Sequence, residues 1–131
     1  MPQIRNRLKN ERGQTLVELA LVLPILVVLI LGIAQFGVAF NNYVTLTDAA
    51  RAGARKAAVS RDSGNPSGAC VTAVRDARGS LNNANLGVTC TSPWTAGSDV
   101  TVTATYPYSI SLLNWVVVSG SLSSTMKERV E

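Results

Sequence analysis

The chain has 131 residues, a net charge of +4, two cysteines and no histidine. That length leaves room for one small domain once a long apolar segment is set aside. With no histidine and only two cysteines the chain lacks the ligand set of a zinc site, and it lacks the base that activates a catalytic serine or cysteine, so no metal, cofactor or enzymatic activity is predicted. No basic patch with interleaved aromatic residues follows the first 13 residues, which argues against nucleic-acid binding.

The positive charge is concentrated at the N-terminus. Residues 1–13 hold four basic residues and one acidic residue, a balance of +3 that leaves only +1 for the rest of the chain. Residues 19–40 form an uncharged apolar run of 22 residues. As a helix the run would be roughly 33 Å long, enough to cross a hydrocarbon core of roughly 30 Å. The positive-inside rule then predicts a cytoplasmic N-terminus and an extracytoplasmic segment after about residue 41.

The junction between the basic leader and this run carries a recognisable pattern. It reads Gly-Gln-Thr-Leu-Val-Glu from Gly13 to Glu18, followed by Leu-Ala-Leu-Val-Leu-Pro. This layout resembles a type IV pilin-like precursor. Together with Asp-Ala-Ala-Arg-Ala-Gly-Ala-Arg from Asp48 to Arg55, it resembles the TadE-like proteins of tight-adherence (Flp) pili. The resemblance implies a minor pilin or pseudopilin that is cut between Gly13 and Gln14.

The same resemblance implies the partners: a prepilin peptidase, an inner-membrane assembly platform with its secretion ATPase, other pilins and the lipid bilayer. The first alternative is an uncleaved single-pass membrane protein with an extracytoplasmic binding domain. The second is a secretory signal peptide cleaved near residues 37–39, although the run is longer than the usual apolar region of about 7 to 15 residues.

Two residues in or beside the run invite a functional interpretation. A carboxylate at the bilayer centre would cost about 2.5 to 3.5 kcal/mol, so Glu18 needs water or a partner. It lies either in the headgroup region, where the helix dipole favours an anion, or, as the resemblance implies, against the ammonium that cleavage creates on Gln14. Cyclisation of Gln14 would remove that ammonium. Pro24 predicts a kink, either in an ordinary anchor or in a segment softened for departure into a filament.

The helix is predicted to continue to about residue 60, because no proline interrupts residues 41–60 and alanine dominates their second half. Small residues recur every fourth position and are expected to pack beneath the protein's own sheet. Arg51 and Arg55 fall on another side. These arginines are either solvated or in contact with lipid, or they meet the acids of a neighbouring subunit.

The remaining residues predict a small outer domain. A turn-forming stretch at residues 61–69 is followed by a short helix from Val71 to about Leu81. Short strands are expected at residues 86–90, 98–106 and 121–130. Pro107 either ends the second strand or places it at an edge. Trp94 lies in a polar loop and is expected to be exposed.

Residues 106–120 are apolar but too short for a second span. They form either a loop that touches the membrane or another subunit, or a cover for the small sheet. Cys70 and Cys90 are predicted to form a disulfide on the exported side, the alternative being two buried thiols. A loop of 20 residues would contribute about 3 kcal/mol in the chain-entropy model.

These elements predict an α+β fold, in which a long transmembrane helix continues as a pilin-like spine against about three antiparallel strands. The predicted division is a leader at residues 1–13, a long helix at 14–60 that spans the membrane at about 19–40, and an outer domain at 61–131. The predicted location is the inner membrane, with a single pass, or the pilus itself.

Overall fold

The computed structural model describes the backbone of residues 4–131 and the side chains of residues 13–131. The elements in chain order are α1 (Ile4–Ala58), α2 (Pro66–Asp76), a 3-10 turn (Asn83–Asn85), and the strands β1 (Gly87–Thr91), β2 (Asp99–Leu112) and β3 (Trp115–Arg129). The predicted α+β class, a long helix against a three-stranded antiparallel sheet, is confirmed. Residues 1–3 of the predicted leader, and the side chains of residues 4–12, lie outside the described residues.

Helix α1 has 55 residues, and those of its side chains that the structure describes are packed against the rest of the domain only towards its C-terminal end. Its start at Ile4 precedes the predicted start at Gln14, because the polar leader residues also favour a helix once the apolar run continues it. In its last three turns the predicted small face is buried. Ala49, Ala50 and Ala57 are fully covered, and Ala54 is nearly so. These small side chains allow the rest of the domain to approach the helix backbone closely.

The core lies between the last part of α1, helix α2 and one face of the sheet. Strand β2 supplies Val100, Val102 and Ala104, which alternate with partly exposed threonines as its sequence pattern predicts. Leu46 from α1 and Val74 from α2 complete the centre of the core. The chain then closes on itself, since the backbone N–H of Glu131 donates to the carbonyl oxygen of Ala58 at 3.0 Å.

Helix α2 begins earlier and ends earlier than predicted. Asn65 caps it, accepting from the backbone N–H of Gly68 at 2.8 Å, and Pro66 occupies the first turn. A capping asparagine followed by proline starts a helix as readily as it forms a loop, so the prediction of a turn through residue 69 was wrong. The helix ends at Asp76, ahead of Gly79 with its positive φ of 57°.

The sheet has the order β1-β2-β3, with both pairs antiparallel. Strand β2 does not stop at Pro107 but runs on to Leu112. The other predicted possibility, an edge position, is the one observed. Strand β1 pairs with β2 only as far as Thr105, so Pro107 lies where β3 is the sole neighbour of β2 within the sheet.

The apolar stretch at residues 106–120, predicted either as a contacting loop or as a cover for the sheet, is instead the far end of the β2–β3 hairpin. Strand β3 begins at Trp115 rather than near Ser121. The turn residues Leu113 and Asn114 have φ values of 49° and 70°, the left-handed pair that characterises a tight I′ hairpin turn. A register shift between Ile110 and Ser111 bends the hairpin just before this turn.

A disulfide joins Cys70 in α2 to Cys90 in β1, with Cα atoms 6.5 Å apart. It ties the second helix to the first strand of the sheet. Trp94, expected to be exposed, packs against the core from its loop, where it has a positive φ of 57°. A wide aromatic ring next to a core this small covers a large part of the core's apolar surface.

Candidate functional site

The predicted processing junction lies within α1. Helix α1 passes without interruption through Gly13 and Gln14, and both residues are exposed. A Cβ built at Gly13 would meet nothing within 4 Å. The backbone around the peptide bond between Gly13 and Gln14 is therefore open to an approaching protein. Hydrolysis would still require the helix to unwind locally, because a peptidase needs access to both faces of that bond.

Glu18 lies one turn beyond Gln14. The amide Nε2 of Gln14 donates to Oε1 of Glu18 at 3.2 Å, an exposed contact between residues four apart. Residues at this spacing share a helix face. The structure thus brings Gly13, Gln14 and Glu18 together at one end of the apolar run, and Glu18 is the sole charged residue between Gly13 and Asp48.

The run that follows Glu18 is exposed on all sides. The part of α1 from Gly13 to Ala58 is the one described helix long and apolar enough to cross a membrane, with a mean hydropathy of 3.0 in its most apolar window and no residue of that window buried. The side chains exposed by half or more include Leu21, Ile25 and Ile33. Pro24 lies inside this segment, and the helix remains continuous through it. A helix that is apolar all round needs an apolar environment on every side.

The predicted arginines lie at the other end of α1. A guanidinium nitrogen of Arg51 lies 3.3 Å from Oδ1 of Asp48, with both side chains more than half exposed. An exposed pair of this kind contributes little to stability. Arg55 is exposed one turn further on. The 33 residues from Glu18 to Arg51 correspond to roughly 50 Å of helix, so these arginines and Glu18 form two separate sites in one subunit.

Sequence reasoning missed one contact, between Gln35 and Ser111. The side-chain amide of Gln35 donates through Nε2 to the carbonyl oxygen of Ser111, and its Oε1 accepts from the backbone N–H of Ser111 at 3.3 Å. The two residues are 76 positions apart. A signal was present in the sequence, because Gln35 is the only strongly polar side chain in the run from residue 19 to residue 40.

An apolar groove opens beside this contact. Aromatic side chains of α1, Phe36, Phe40 and Tyr43, face the side chains of Tyr108 and Ile110 on β2 across a space of about 260 Å³. The groove has open walls and continues the exposed surface of α1. The distal half of the hairpin therefore stands beside the apolar run and not only beside the domain core.

A long exposed apolar helix that continues into a small α+β domain fits a membrane protein with a pilin-like spine. The family model of TadE-like proteins matches residues 13–55, which confirms the resemblance predicted from this part of the sequence. The match covers about a third of the chain and lies on α1, the helix that carries the Gly13 to Glu18 junction and the apolar run. No curated protein and no solved structure matches the chain.

Proposed function

We propose that the chain is a TadE-like minor pilin or pseudopilin that takes part in assembling a Flp-type pilus. In this proposal a prepilin peptidase cuts after Gly13. The observation that carries it is the position of Gly13, Gln14 and Glu18 at the head of an exposed apolar helix. The TadE-like match, which itself begins at residue 13, supports the same division of the chain.

The proposed topology follows from charge. The basic residues before Gly13 stay in the cytoplasm, α1 crosses the inner membrane, and the sheet domain lies outside. The disulfide between Cys70 and Cys90 supports this orientation, since such bonds persist in oxidising compartments. Cutting after Gly13 removes the charge balance of +3 that holds the leader at the cytoplasmic surface.

Glu18 takes the central role in the proposed assembly step. Cleavage would make Gln14 the first residue and would place its ammonium within a turn of the Glu18 carboxylate. An ion pair with the same or a neighbouring subunit would then replace the contact that the Gln14 amide makes now. Cyclisation of Gln14 would leave only neutral donors. Other pilins, the membrane platform and its secretion ATPase are the proposed partners of this step.

The N-terminus of the protein from native envelopes tests processing. We expect a chain that begins at Gln14 in cells with the prepilin peptidase and at Met1 in cells without it, measured by intact mass. Gly13→Val should block the cut, whereas Gly32→Val is the matched control. Both glycines are helical, and at both an added Cβ would meet nothing within 4 Å. A chain that starts at Met1 in both strains would leave the uncleaved single-pass protein.

Assembly is tested separately with Glu18→Gln, which keeps the side-chain shape and removes the charge. The variant should be processed normally but should lose most of its association with sheared pili or with the assembly platform. Glu128→Gln is the control, because Glu128 is an exposed carboxylate on β3 far along the chain from the junction. Equal recovery of wild type and Glu18→Gln would refute the assigned role of Glu18.

A further inference from the structure

The tip of the β2–β3 hairpin, residues 112–118, carries a dense apolar surface. Leu113 is 76% exposed, Trp115 81% and Val117 60%. No charged residue occurs between Asp99 and Lys127. An exposed apolar patch of this kind on a small domain marks an interaction surface.

The fold fixes where this tip lies along α1. Strands β2 and β3 run beside the helix from its C-terminal end, where Glu131 bonds to Ala58, down to Gln35, which bonds to Ser111. The turn follows Ser111 directly. The tip therefore lies beside the apolar run, at the level of Gln35 or nearer to the helix N-terminus.

The level of Gln35 can be converted into a depth in the membrane. Gln35 precedes Phe40, the last residue of the uncharged run, by five residues, or about 7 to 8 Å of helix. Elements that lie in a membrane interface bury their apolar face by about 5 to 10 Å. If α1 spans the bilayer with this run, Ser111 lies at the boundary between the outer headgroups and the acyl chains, and the tip reaches at least that depth.

Local structure suits that environment. The Gln35 amide satisfies both backbone groups of Ser111 at the bend, where water near the acyl chains is scarce. Leu113 has a positive φ of 49° at a turn position that favours asparagine or glycine, and its side chain is exposed. An exposed leucine side chain at this turn position is unfavourable in water but favourable in lipid. Tryptophan such as Trp115 is typical of the membrane interface.

We propose that the hairpin tip is a second membrane contact, which inserts Leu113, Trp115 and Val117 into the outer boundary of the bilayer that α1 spans. The inference rests on the topology given under the proposed function. It means that the outer domain is held at two points, the helix and the hairpin. The tip must also leave the lipid when the subunit enters a filament.

The experiment uses the full chain reconstituted in phosphatidylcholine vesicles with brominated acyl chains, which quench tryptophan on contact. Subtracting the emission of Trp115→Phe from that of the wild type isolates Trp115, because Trp94 is the other of the two tryptophans in the chain. Trp94 packs against the protein core and serves as the internal reference. We expect brominated lipid to quench Trp115 at least threefold more than Trp94. Iodide present on both sides of the membrane should quench Trp115 only weakly.

A variant pair tests the apolar surface itself. Leu113→Asn places a favoured residue in the turn, and Val117→Thr keeps the β-branched shape, so the hairpin should still form. The double variant should lose at least half of the lipid quenching of Trp115. Val59→Thr is the matched control, because Val59 is 63% exposed just beyond the other end of α1, and it should leave the quenching unchanged.

Two results would overturn the membrane contact alone. Strong iodide quenching of Trp115 without lipid quenching would place the tip in water. Protection from both quenchers that disappears at low protein-to-lipid ratio would show that a second copy of the chain covers it. Extraction of the vesicles with alkaline carbonate distinguishes these two results from a chain that does not span the membrane. A chain released by carbonate lacks the span and overturns both proposals, whereas a resistant chain with water-exposed Trp115 overturns the hairpin contact only.

Discussion

Gly53 lies where α1 packs against α2 and β2, and replacing it by alanine should disturb that contact. An added Cβ would meet Cγ2 of Val74 at 2.2 Å, the carbonyl oxygen of Cys70 at 3.4 Å and Cγ1 of Val102 at 3.5 Å. Val74 is fully buried. The disulfide from Cys70 holds α2 to the sheet, so Val74 cannot move away without displacing a constrained helix.

The magnitude follows from two opposing terms. Overpacking a core costs about 1 to 3 kcal/mol, and a 2.2 Å approach at Gly53 lies well inside the normal carbon contact of about 3.5 to 4.0 Å. Alanine is more favourable than glycine in a helix by about 0.8 to 1.0 kcal/mol. With the clash at the upper part of its range, Gly53→Ala should lower the free energy of unfolding by about 1 to 2 kcal/mol.

Guanidinium unfolding of the full chain in detergent micelles measures this change, with Trp94 emission as the probe in a Trp115→Phe background. Gly37→Ala is the matched control, because it makes the same exchange in α1 where an added Cβ meets nothing within 4 Å. It should leave stability unchanged or raise it. Adding Val74→Ala to Gly53→Ala should cost less than the two separate changes together. A Gly53→Ala protein as stable as wild type would refute the close packing at Gly53.

Three further changes have defined expectations under the same assay or by hydrogen exchange. Replacing Cys70 and Cys90 together by serine should lower the free energy of unfolding by about 3 kcal/mol, since the closed loop of 20 residues is released. Asn65→Ala should cost about 1 kcal/mol through loss of the α2 cap, and Asn65→Ser should retain most of the stability. Gln35→Leu should speed amide exchange at Ser111 by roughly fivefold to tenfold, because a net hydrogen bond is worth about 1 kcal/mol; unchanged exchange would mean that the contact is not formed in solution.

Much of the fold could be predicted because its signals are local. The apolar run and the alanine-rich continuation predict one long helix, and the alternation of Val100, Val102 and Ala104 with threonines predicts a half-buried strand. The two cysteines lie on a domain that the charge pattern predicts to be exported and that is too small to rely on its core alone, which predicts the disulfide. In each case a few adjacent residues decide the structure.

Predictions stayed open, or set a wrong boundary, where a local signal has two meanings that only distant residues separate. Proline ends a central strand but is tolerated at an edge. Whether Pro107 is central depends on β1, which stops pairing opposite Thr105. In the same way, the turn-forming residues after Asn65 start a helix because Val74 and Cys70 have a core to pack against. Packing partners therefore decided both outcomes.

The candidate site likewise has one part that depends on adjacent residues and one part that depends on distant residues. The Gly13 to Glu18 pattern is contained in six residues, so it can be found by inspection, and the structure adds the contact between Gln14 and Glu18. Cleavage itself remains a prediction, because the choice of the cleavage site is made by the peptidase and not by this chain. The contact of Gln35 with Ser111 could not be predicted, since it depends on the length and register of the β2–β3 hairpin.

The exposed half of α1 is the physical reason for assigning the proposed assembly step to a single carboxylate. In lipid its apolar side chains are already out of water, and in a filament they would meet the equally apolar helices of other subunits, so the move carries little hydrophobic driving force. A change of state can be driven only by an interaction that differs between the two states. Between Gly13 and Asp48 the one charged side chain available for such an interaction is Glu18. Its replacement by glutamine should therefore leave insertion in the membrane intact and reduce assembly alone.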